Sequence, residues 1–314
     1  MTHLLTVLGA AHIDQVIRLE SAHLHRTNPG HRETSPGGVA ANIARHIARH
    51  QPPHQSPQET PAPDAHALRM QFIGVVAKDQ DAQVAAHFSS LGVKPRLTVI
   101  DGAAPQYTAI INAEGELVIG AACMDLYDAV TIDHLQPYLP KTGSLVLDAN
   151  FPRDVLEKIA QALPMPLSLY AAGTSMEKVA RLAPILPRLD GLVLNRAEAE
   201  QITDPASPDV MAAALADKMR PGAFVLVSDG GAPASLSQSG LTVTVTPAPL
   251  EQASSDTDGP SLTNVNGAGD AMAAALFRAM LTAPLLGGRS EAQLKNRLQD
   301  ALDAGRTYAQ RSTP

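Results

Sequence analysis

The amino-acid sequence predicts an α/β fold, a doubly wound and mostly parallel sheet flanked by helices, with a small β lid. Short apolar runs, the first of which ends in glycine, indicate buried strands, and segments with helical periodicity separate them. Two stretches break this alternation, and the second contains a hairpin pattern. A hydrophobic fraction of 45% over 314 residues supplies enough apolar side chain for one large core.

The apolar runs are the predicted strands of the main sheet. They occur at residues 4–9, 70–76, 144–147, 191–194 and 223–227. Helical patterns occur at residues 42–50, 81–91, 154–163, 176–182, 197–202, 209–219, 268–281 and 294–310. Because strands that alternate with helices build doubly wound sheets, helices are expected on both faces.

The β lid is predicted from residues 16–34 and 98–120, which interrupt the alternation. In the second stretch, the run from Tyr107 to Asn112 is followed by a turn around Gly115 and by the run from Leu117 to Ile119. We therefore expect one domain over residues 1–314, with lid segments at about 15–35 and 97–120. A proline-rich insertion at about residues 51–65 contains five prolines and is expected to be solvated.

Composition and charge exclude several classes of function. A net charge of −7 and an aromatic fraction of 3% argue against nucleic acid polymers, whose binding needs basic surfaces and stacking platforms. Cys123 is the only cysteine, so an intrachain disulfide and a thiolate metal cage are excluded. No apolar run is long enough to predict a membrane-spanning helix. We expect a cytoplasmic protein with no nucleic acid or membrane partner.

The segment Gly267-Ala268-Gly269-Asp270 opens an alanine-rich helical pattern. Backbone N–H groups in such a turn, at the positive end of a helix, can hold a phosphoryl group during its transfer. The carboxylate of Asp270 could accept a proton from a hydroxyl group that attacks the phosphorus. Asp is also favoured in first turns and glycines permit close packing, so a structural role is the alternative.

A second glycine-containing segment places Gly37 and Gly38 just before a helix that carries Asn42. Paired glycines let the backbone approach a ligand, and the Asn42 amide can donate and accept hydrogen bonds with vicinal hydroxyls. Asp14 follows the first strand, where carboxylates commonly contact ligands in such sheets. The alternatives are a glycine turn with a helix-start asparagine, and a surface aspartate.

Two further motifs follow predicted strands. Asn195 and Glu198 carry oxygen atoms that suit a water-rich Mg²⁺ site, but the same spacing is also that of a helix capping box. Ser228 and Gly230 lie where a strand leads into a glycine turn. That turn could contact nucleotide phosphates or could be a simple hairpin.

In this order and at these separations, the motifs resemble the PfkB, or ribokinase-like, carbohydrate and nucleoside kinases, from Gly9 to about Ala309. The resemblance implies ATP as donor, Mg²⁺ as cofactor and the following roles. Asp270 would be the catalytic base, and the amides of Gly267, Ala268 and Gly269 would form an anion hole for the transferred phosphoryl group. The sugar would be held by Asp14, Gly37, Gly38 and Asn42. The Mg²⁺–phosphate region would be served by Asn195 and Glu198, and the nucleotide would be flanked by Ser228 and Gly230. Ala10 and Ala82 depart from the family pattern, which usually has glycine at these positions.

Three segments resemble the pseudouridine kinases more narrowly. They are Asn28-Pro29-Gly30, the run from Cys123 to Asp128, and Asn264-Val265-Asn266. The sequence is therefore interpreted as an ATP-dependent kinase of the 5′-hydroxyl of pseudouridine. The alternatives are another sugar or nucleoside kinase of the family, and a non-catalytic ligand-binding protein with the same fold. Lid strands could pair across a homodimer, because exposed strand edges need covering.

Overall fold

A computed structural model describes residues 3–23, 25–50, 68–113, 117–249, 267–282 and 290–310. The predicted insertion at residues 51–65, the turn around Gly115 and the segment Asn264-Val265-Asn266 lie outside the described residues. No helix within the described ranges is long and apolar enough to cross a membrane.

Two sheets are formed by the described strands. The strands are β1 (His3–Leu8), β2 (His12–Leu19), β3 (Gly30–Gly37), β4 (Leu68–Ala77), β5 (Lys94–Ile100), β6 (Gln106–Ile111), β7 (Leu117–Cys123), β8 (Ser144–Asp148), β9 (Ser168–Ala172), β10 (Gly191–Asn195), β11 (Phe224–Asp229), β12 (Ala232–Gln238) and β13 (Leu241–Val245). The larger sheet has the order β13-β12-β11-β10-β9-β8-β1-β4-β5. Its neighbours run parallel from β5 to β11, and β11, β12 and β13 are antiparallel.

Helices cover both faces of the larger sheet. They are α1 (Val39–Arg49), α2 (Asp81–Ser90), α3 (Asp125–Asp128), α4 (Arg153–Ala162), α5 (Met176–Val179), α6 (Arg196–Ala199), α7 (Pro208–Ala216), α8 (Ala268–Thr282) and α9 (Glu291–Gln310). Successive strand residues point to opposite faces. Leu5 and Val7 of β1 accordingly belong to the core that includes α1, α8 and α9, whereas Leu8 belongs to the core that includes α4 and α7. The predicted doubly wound arrangement is confirmed.

The smaller sheet has the order β3-β2-β6-β7. Strand β2 pairs antiparallel with β3, where Asp14 lies opposite Ser35, and parallel with β6. Strands β6 and β7 form the predicted hairpin. Strand β5 instead pairs with β4 in the larger sheet, so the second lid stretch enters the smaller sheet at Gln106 rather than at residue 97.

The sequence patterns miss strands β9, β12 and β13 and extend three helices, α5, α6 and α7, by three residues each. Strand β9 has only one large aliphatic residue, Leu169, between Ser168 and Tyr170, and β12 and β13 alternate Ser or Thr with apolar residues, so none of them forms a long apolar run. The helix predicted at residues 176–182 ends as α5 at Val179 and continues as a 3-10 helix, Ala180–Arg188. Pro184 and Pro187 lie within this segment and lack the N–H that an α-helix requires.

Candidate active site

The candidate site lies where the carboxyl ends of β1, β8 and β10 meet the first turns of α1 and α8. Parallel sheets of this kind commonly bind ligands at the carboxyl edge of their strands. The predicted site motifs lie at the ends of β10 and β11, at the starts of α1 and α8, and, for Asp14, within β2. The fold therefore brings together motifs that are far apart in the sequence.

Asp270 and Asn42 are in direct contact. Asp270 lies in the first turn of α8, and the Asn42 Nδ2 atom donates a hydrogen bond of 2.8 Å to its Oδ2 atom. Packing of α1 against α8 makes this contact between residues that are 228 positions apart. The sequence analysis gives the two residues separate roles, whereas the structure joins them in one hydrogen-bonded pair.

The protein environment raises the pKa of Asp270 to about 7, mainly because burial removes water from its carboxyl group. The hydrogen bond from Asn42 and the charge of Arg45 oppose the rise, and the carboxylates of Asp148 and Glu198 contribute to it. A base with a pKa near neutral pH can both be ionised and bind the transferred proton firmly. Asp270 thus has the properties of a general base.

A cavity of about 340 Å³ borders Asp270. Its lining includes the predicted site residues Asn195, Glu198, Ser228, Gly267 and Gly269. Gly267 has a φ of 90°, a conformation that glycine adopts without the strain of a Cβ atom. This allows the backbone to turn sharply into α8 beside the cavity.

Asn195 and Glu198 form the capping box that their spacing predicts. Asn195 Oδ1 accepts the Glu198 N–H at 2.9 Å, and Glu198 Oε2 accepts the Asn195 N–H at 3.0 Å. Glu198 is only 6% exposed, and burial raises the pKa of its carboxyl group. Gly173 makes room for this carboxylate, because a Cβ atom there would lie 2.1 Å from Oε2. The capping box, which was the alternative to a metal site, is therefore present, and metal binding by these residues would come in addition to it.

The donor set suits a Mg²⁺ ion that is bound mainly by phosphate. Among the described residues, no group of three or more His, Cys, Asp and Glu side chains could hold a metal ion by itself. Mg²⁺ keeps several waters and commonly takes one or two carboxylates together with substrate phosphates. Glu198 has one such carboxylate in the lining of the cavity, and burial of this group makes a neighbouring cation favourable.

Gly37 and Gly38 allow the start of α1 to pack closely on neighbouring segments. A Cβ atom on Gly37 would lie 2.1 Å from Asp14 Oδ2, and one on Gly38 would lie 2.3 Å from the Ala10 carbonyl oxygen. The Asp14 side chain retains 27% of its exposure. The two glycines thus hold α1 and the Asp14 carboxylate close together.

The remaining predicted residues differ in their distance from the cavity. The Ser228 hydroxyl donates to the Leu194 carbonyl at 3.4 Å, and Ser228 lines the cavity. Gly230 lies in the hairpin turn after β11 with open space around it, and Ala268 begins α8 with its carbonyl close to Gly305. The roles assigned to all these residues in binding and catalysis stay predictions.

Asp148, which the sequence analysis does not single out, is a buried hydrogen-bond acceptor at the end of β8. Its carboxylate accepts the N–H groups of Ala10 and Ala40 at 3.1 Å each, which ties the end of β1 to the start of α1. Asn150 donates to the same carboxylate through its N–H and its side chain, and Lys178 donates to Asn150 Oδ1 at 2.9 Å. The run Asp-Ala-Asn after an apolar strand is the signal that could have indicated this cluster.

His12 is a second residue that the sequence analysis misses. Its Nε2 atom lies 3.0 Å from Asp14 Oδ1, and its Nδ1 atom lies 3.1 Å from the Tyr127 hydroxyl oxygen. The Tyr127 hydroxyl also contacts the Ala11 carbonyl at 3.0 Å. Tyr127, in one of the segments that resemble pseudouridine kinases, is completely buried, so its side chain contacts protein on all sides.

Comparisons with known proteins identify a family and a fold for the chain. Residues 2–313 match the family described as pfkB family carbohydrate kinase. No curated protein matches the chain.

Several solved structures share the fold. A carbohydrate kinase from Agrobacterium tumefaciens is 24% identical, with a TM-score of 0.71, and the match covers 97% of this chain and 90% of that chain. A ribokinase from Giardia lamblia is 19% identical, with a TM-score of 0.74 and coverages of 99% and 96%. A structure from E. coli in complex with ATP and Mg²⁺ is 15% identical, with a TM-score of 0.71 and coverages of 99% and 94%.

Proposed function

Because the chain belongs to the pfkB family of carbohydrate kinases and is a phosphotransferase that acts on sugar hydroxyl groups, we propose that its acceptor is the 5′-hydroxyl of pseudouridine. ATP is the proposed donor, in keeping with the ATP and Mg²⁺ bound in the structural relative from E. coli. The observation that carries the proposed chemistry is Asp270, a carboxyl group with a pKa of about 7 at the start of a helix and beside a cavity.

In the proposed reaction, Asp270 takes the proton of the acceptor hydroxyl. The acceptor oxygen forms a bond to the γ-phosphorus, while the bond between that phosphorus and the β,γ-bridging oxygen breaks and leaves its electron pair on ADP. The amides of Gly267, Ala268 and Gly269 donate to the phosphoryl oxygens at the positive end of α8. Mg²⁺ would neutralise charge on the nucleotide phosphates, with Glu198 and Asn195 as the residues that would hold it.

Asp14 and Asn42 are the proposed ligands of the ribose hydroxyl groups. Asn42 already donates to Asp270, so a sugar hydroxyl beside Asn42 would also lie near the base. Asp14 reaches the site from β2 of the smaller sheet, next to Gly37. A sugar held between them would be oriented by α1 and by the smaller sheet, which favours transfer to a single hydroxyl group.

The choice of pseudouridine rests on the sequence resemblance of three segments. In one of them, Asn28 accepts a hydrogen bond from the His23 N–H and donates to the His23 carbonyl, which organises the loop between β2 and β3. In another, Met124 is the N-cap residue of α3 and is partly exposed. Asn28 thus orders the β2–β3 loop of the lid, and Met124 begins α3. We take this loop and α3 as the proposed neighbours of the nucleobase.

The proposal is tested by phosphoryl transfer from ATP with Mg²⁺ to pseudouridine, uridine, adenosine, ribose and fructose. We expect the highest kcat/KM with pseudouridine. A higher value with ribose or another nucleoside would identify a different sugar kinase of the same family. Absence of product with every acceptor, together with thermal stabilisation by one of them, would favour a ligand-binding protein.

We further propose that two copies of the chain pair through the smaller sheet. Strands β3 and β7 are its edges, and Val118 and Ile119 of β7 are 38% and 58% exposed. Exposed apolar edge strands are normally covered. Sedimentation equilibrium should show a dimer at micromolar concentration that Ile119→Lys dissociates. Val210→Lys, at an equally exposed residue on α7, should leave the dimer intact, and a monomeric parent at all concentrations would contradict the proposal.

A further inference from the structure

A second cavity, of about 650 Å³, opens at the amino ends of β1, β4 and β5. The described residues that line it include none of the candidate active site, which lies at the carboxyl ends of the strands. Strand β1 runs from one site to the other, and its six residues span about 17–20 Å. A ligand in this cavity is therefore too far from Asp270 to take part in phosphoryl transfer.

Two glycines leave room for this cavity at the edge of the sheet. Leu4 of β1 lies beside Arg69 of β4. The register of β1 with β8, continued by one residue, places Gly143 on the other side of Leu4, and a Cβ atom on Gly143 would lie 2.1 Å from the Leu4 carbonyl oxygen. Gly92, in the turn before β5, also borders the cavity. Neither glycine has a side chain that could fill the space beside Arg69.

Three cationic side chains surround this space on one face of the sheet. Successive strand residues point to opposite faces, so Arg69 and Gln71 of β4 share a face. Lys94 of β5 pairs with Gln71, and Arg96 follows two residues later on the same face. Strand geometry places the Cα atoms of Lys94 and Arg96 about 7 Å apart, and those of Arg69 and Lys94 about 8 Å apart. The three positive charges therefore border one cavity.

No acidic side chain balances these charges in the part of the chain that the structure describes. The described lining contains no Asp or Glu, and none of the three cations forms an ion pair with a described carboxylate. The Cα separations are shorter than the screening length of about 10 Å at 0.1 M salt, so repulsion between the charges is only partly screened. A bound anion would replace this repulsion with attraction.

The chemistry of the cationic groups favours phosphate as their ligand. Arg69 and Arg96 carry planar guanidinium groups, which can donate two parallel hydrogen bonds to phosphate oxygens. The Arg96 guanidinium lies 5.9 Å from the centre of the Tyr138 ring, a cation–π contact that restricts its position. His3 adds no charge at neutral pH, because burial lowers its pKa, and its Nε2 atom lies 2.9 Å from the Ser144 hydroxyl.

We propose that this cavity is a binding site for a small phosphate-bearing anion with at least two negative charges, held by Arg69, Lys94 and Arg96. Three cations match such an anion better than a single carboxylate. The volume falls within the range of about 300–1,000 Å³ that is usual for small-molecule sites, so a diphosphate or a sugar phosphate fits. The ligand is bound and is not a substrate of the phosphoryl transfer.

The test is a titration of the full chain with inorganic pyrophosphate, without ATP or Mg²⁺, followed by nitrogen-15 NMR and by calorimetry. The backbone amide signals of Gly92 and Gly143 should shift, whereas a shift of the Gly269 signal reports binding in the active site instead. Arg69→Gln and Lys94→Gln should each weaken binding about tenfold or more, the effect of one lost charge-assisted hydrogen bond. Both side chains are exposed, so neither substitution disturbs the core.

Lys218→Gln, at an exposed lysine just after α7, is the matched control and should leave the affinity for pyrophosphate within twofold of the parent. In all three variants, kcat and the KM for ATP should also stay within twofold of the parent, because the cavity is separate from the active site. Equal weakening by Lys218→Gln and Arg69→Gln would show that the net charge of the protein, rather than this cavity, attracts the anion, and would overturn the proposal.

Two further titrations define the ligand. Succinate, a dianion without phosphate, should bind at least about tenfold more weakly than pyrophosphate at the same ionic strength, and equal binding would overturn the assignment to phosphate. Ribose 5-phosphate separates an organic phosphate ester from an inorganic diphosphate, and the tighter of the two identifies the kind of ligand. Unchanged Gly92 and Gly143 signals with both phosphates at millimolar concentration would overturn the site.

Discussion

At the residue scale, Asp270 is the group whose chemistry is most constrained by its surroundings. Its carboxyl group has a pKa of about 7 and accepts a hydrogen bond from Asn42. An asparagine at this position could still accept that bond but could not take up a proton. We expect Asp270→Asn to lower kcat about 10²–10⁴-fold, the usual contribution of a general base.

Steady-state phosphoryl transfer with the best acceptor is the measurement for Asp270→Asn. Asp300→Asn, at an exposed aspartate in α9, is the matched control and should retain parental turnover. In the parent, kcat should rise with pH up to about 7 and then level off, because only the ionised carboxylate accepts a proton. A variant that turns over within threefold of the parent would remove Asp270 from the proposed role of base.

The same residue should reduce stability at neutral and alkaline pH. The folded-state pKa of about 7 lies above the reference value of 3.8, so between these values the folded protein holds more protons than the unfolded chain. The protonated carboxyl group therefore stabilises the folded protein fully below about pH 4, and this stabilisation is lost as the pH rises through about 7. The asparagine of Asp270→Asn does not titrate, so the variant does not lose this stabilisation. The Tm of the variant minus the Tm of the parent should therefore be a few degrees larger at pH 8 than at pH 5. A constant difference in Tm across this range would show that the carboxyl group is not perturbed in the folded state.

The residue scale also shows where sequence patterns stop being informative. The capping box of Asn195 and Glu198 involves neighbours in the chain, so its spacing predicts it directly. Asp148 instead accepts hydrogen bonds from residues that are 138 and 108 positions away, and His12 contacts Tyr127 across 115 positions. A single polar residue whose partners are distant in sequence has no local pattern that identifies it.

At the scale of elements, the start of α1 depends on Gly38. This residue has a φ of 101°, which is strained for any residue with a side chain, and a Cβ atom would lie 2.3 Å from the Ala10 carbonyl oxygen. We expect Gly38→Ala to lower Tm by about 5 °C or more, because the backbone of β1 or α1 must move.

Gly231→Ala is the matched control for this substitution. Gly231 lies in the turn between β11 and β12 with no atom within 4 Å of an added Cβ, so its Tm should stay within about 2 °C of the parent. Differential scanning calorimetry of both variants makes the comparison. Equal melting temperatures for Gly38→Ala and Gly231→Ala would mean that α1 adjusts its start without cost.

Strands that contain a continuous run of large apolar residues were predicted well, and the other strands of the larger sheet were predicted poorly. The strands β1, β4, β8, β10 and β11 are almost entirely buried, and continuous apolar runs reveal them. Strand β5 is largely half-buried and continues into residues that read as the lid hairpin, so the sequence assigns its end to the wrong sheet. Which sheet a half-buried strand joins is decided by its neighbours in the fold rather than by its own residues.

At the scale of the whole molecule, the candidate site combines parts of both sheets. The larger sheet and its helices provide Asp270, Asn42 and Glu198, and the smaller sheet provides His12 and Asp14. The alternation of strands and helices was sufficient to predict that the larger sheet is doubly wound, but it did not predict strands β5, β9, β12 and β13. The order of strands in the smaller sheet could not be predicted, because β2 pairs with β6 across most of the first third of the chain.

Because the proposed ribose ligands come from β2 of the smaller sheet and from α1, removal of one sugar hydroxyl should be costly. A 2′-deoxy acceptor would leave buried polar groups of Asp14 or Asn42 without a partner, which costs more than the loss of a simple contact. We expect kcat/KM for uridine to exceed that for 2′-deoxyuridine by about 10²-fold or more in the parent. Asp14→Ala should reduce this ratio to about tenfold or less by lowering the value for uridine, while Asp133→Ala, at an exposed aspartate, should preserve it. Equal efficiency with both nucleosides in the parent would mean that the smaller sheet does not contact the ribose, and an unchanged ratio in Asp14→Ala would assign the contact to another residue.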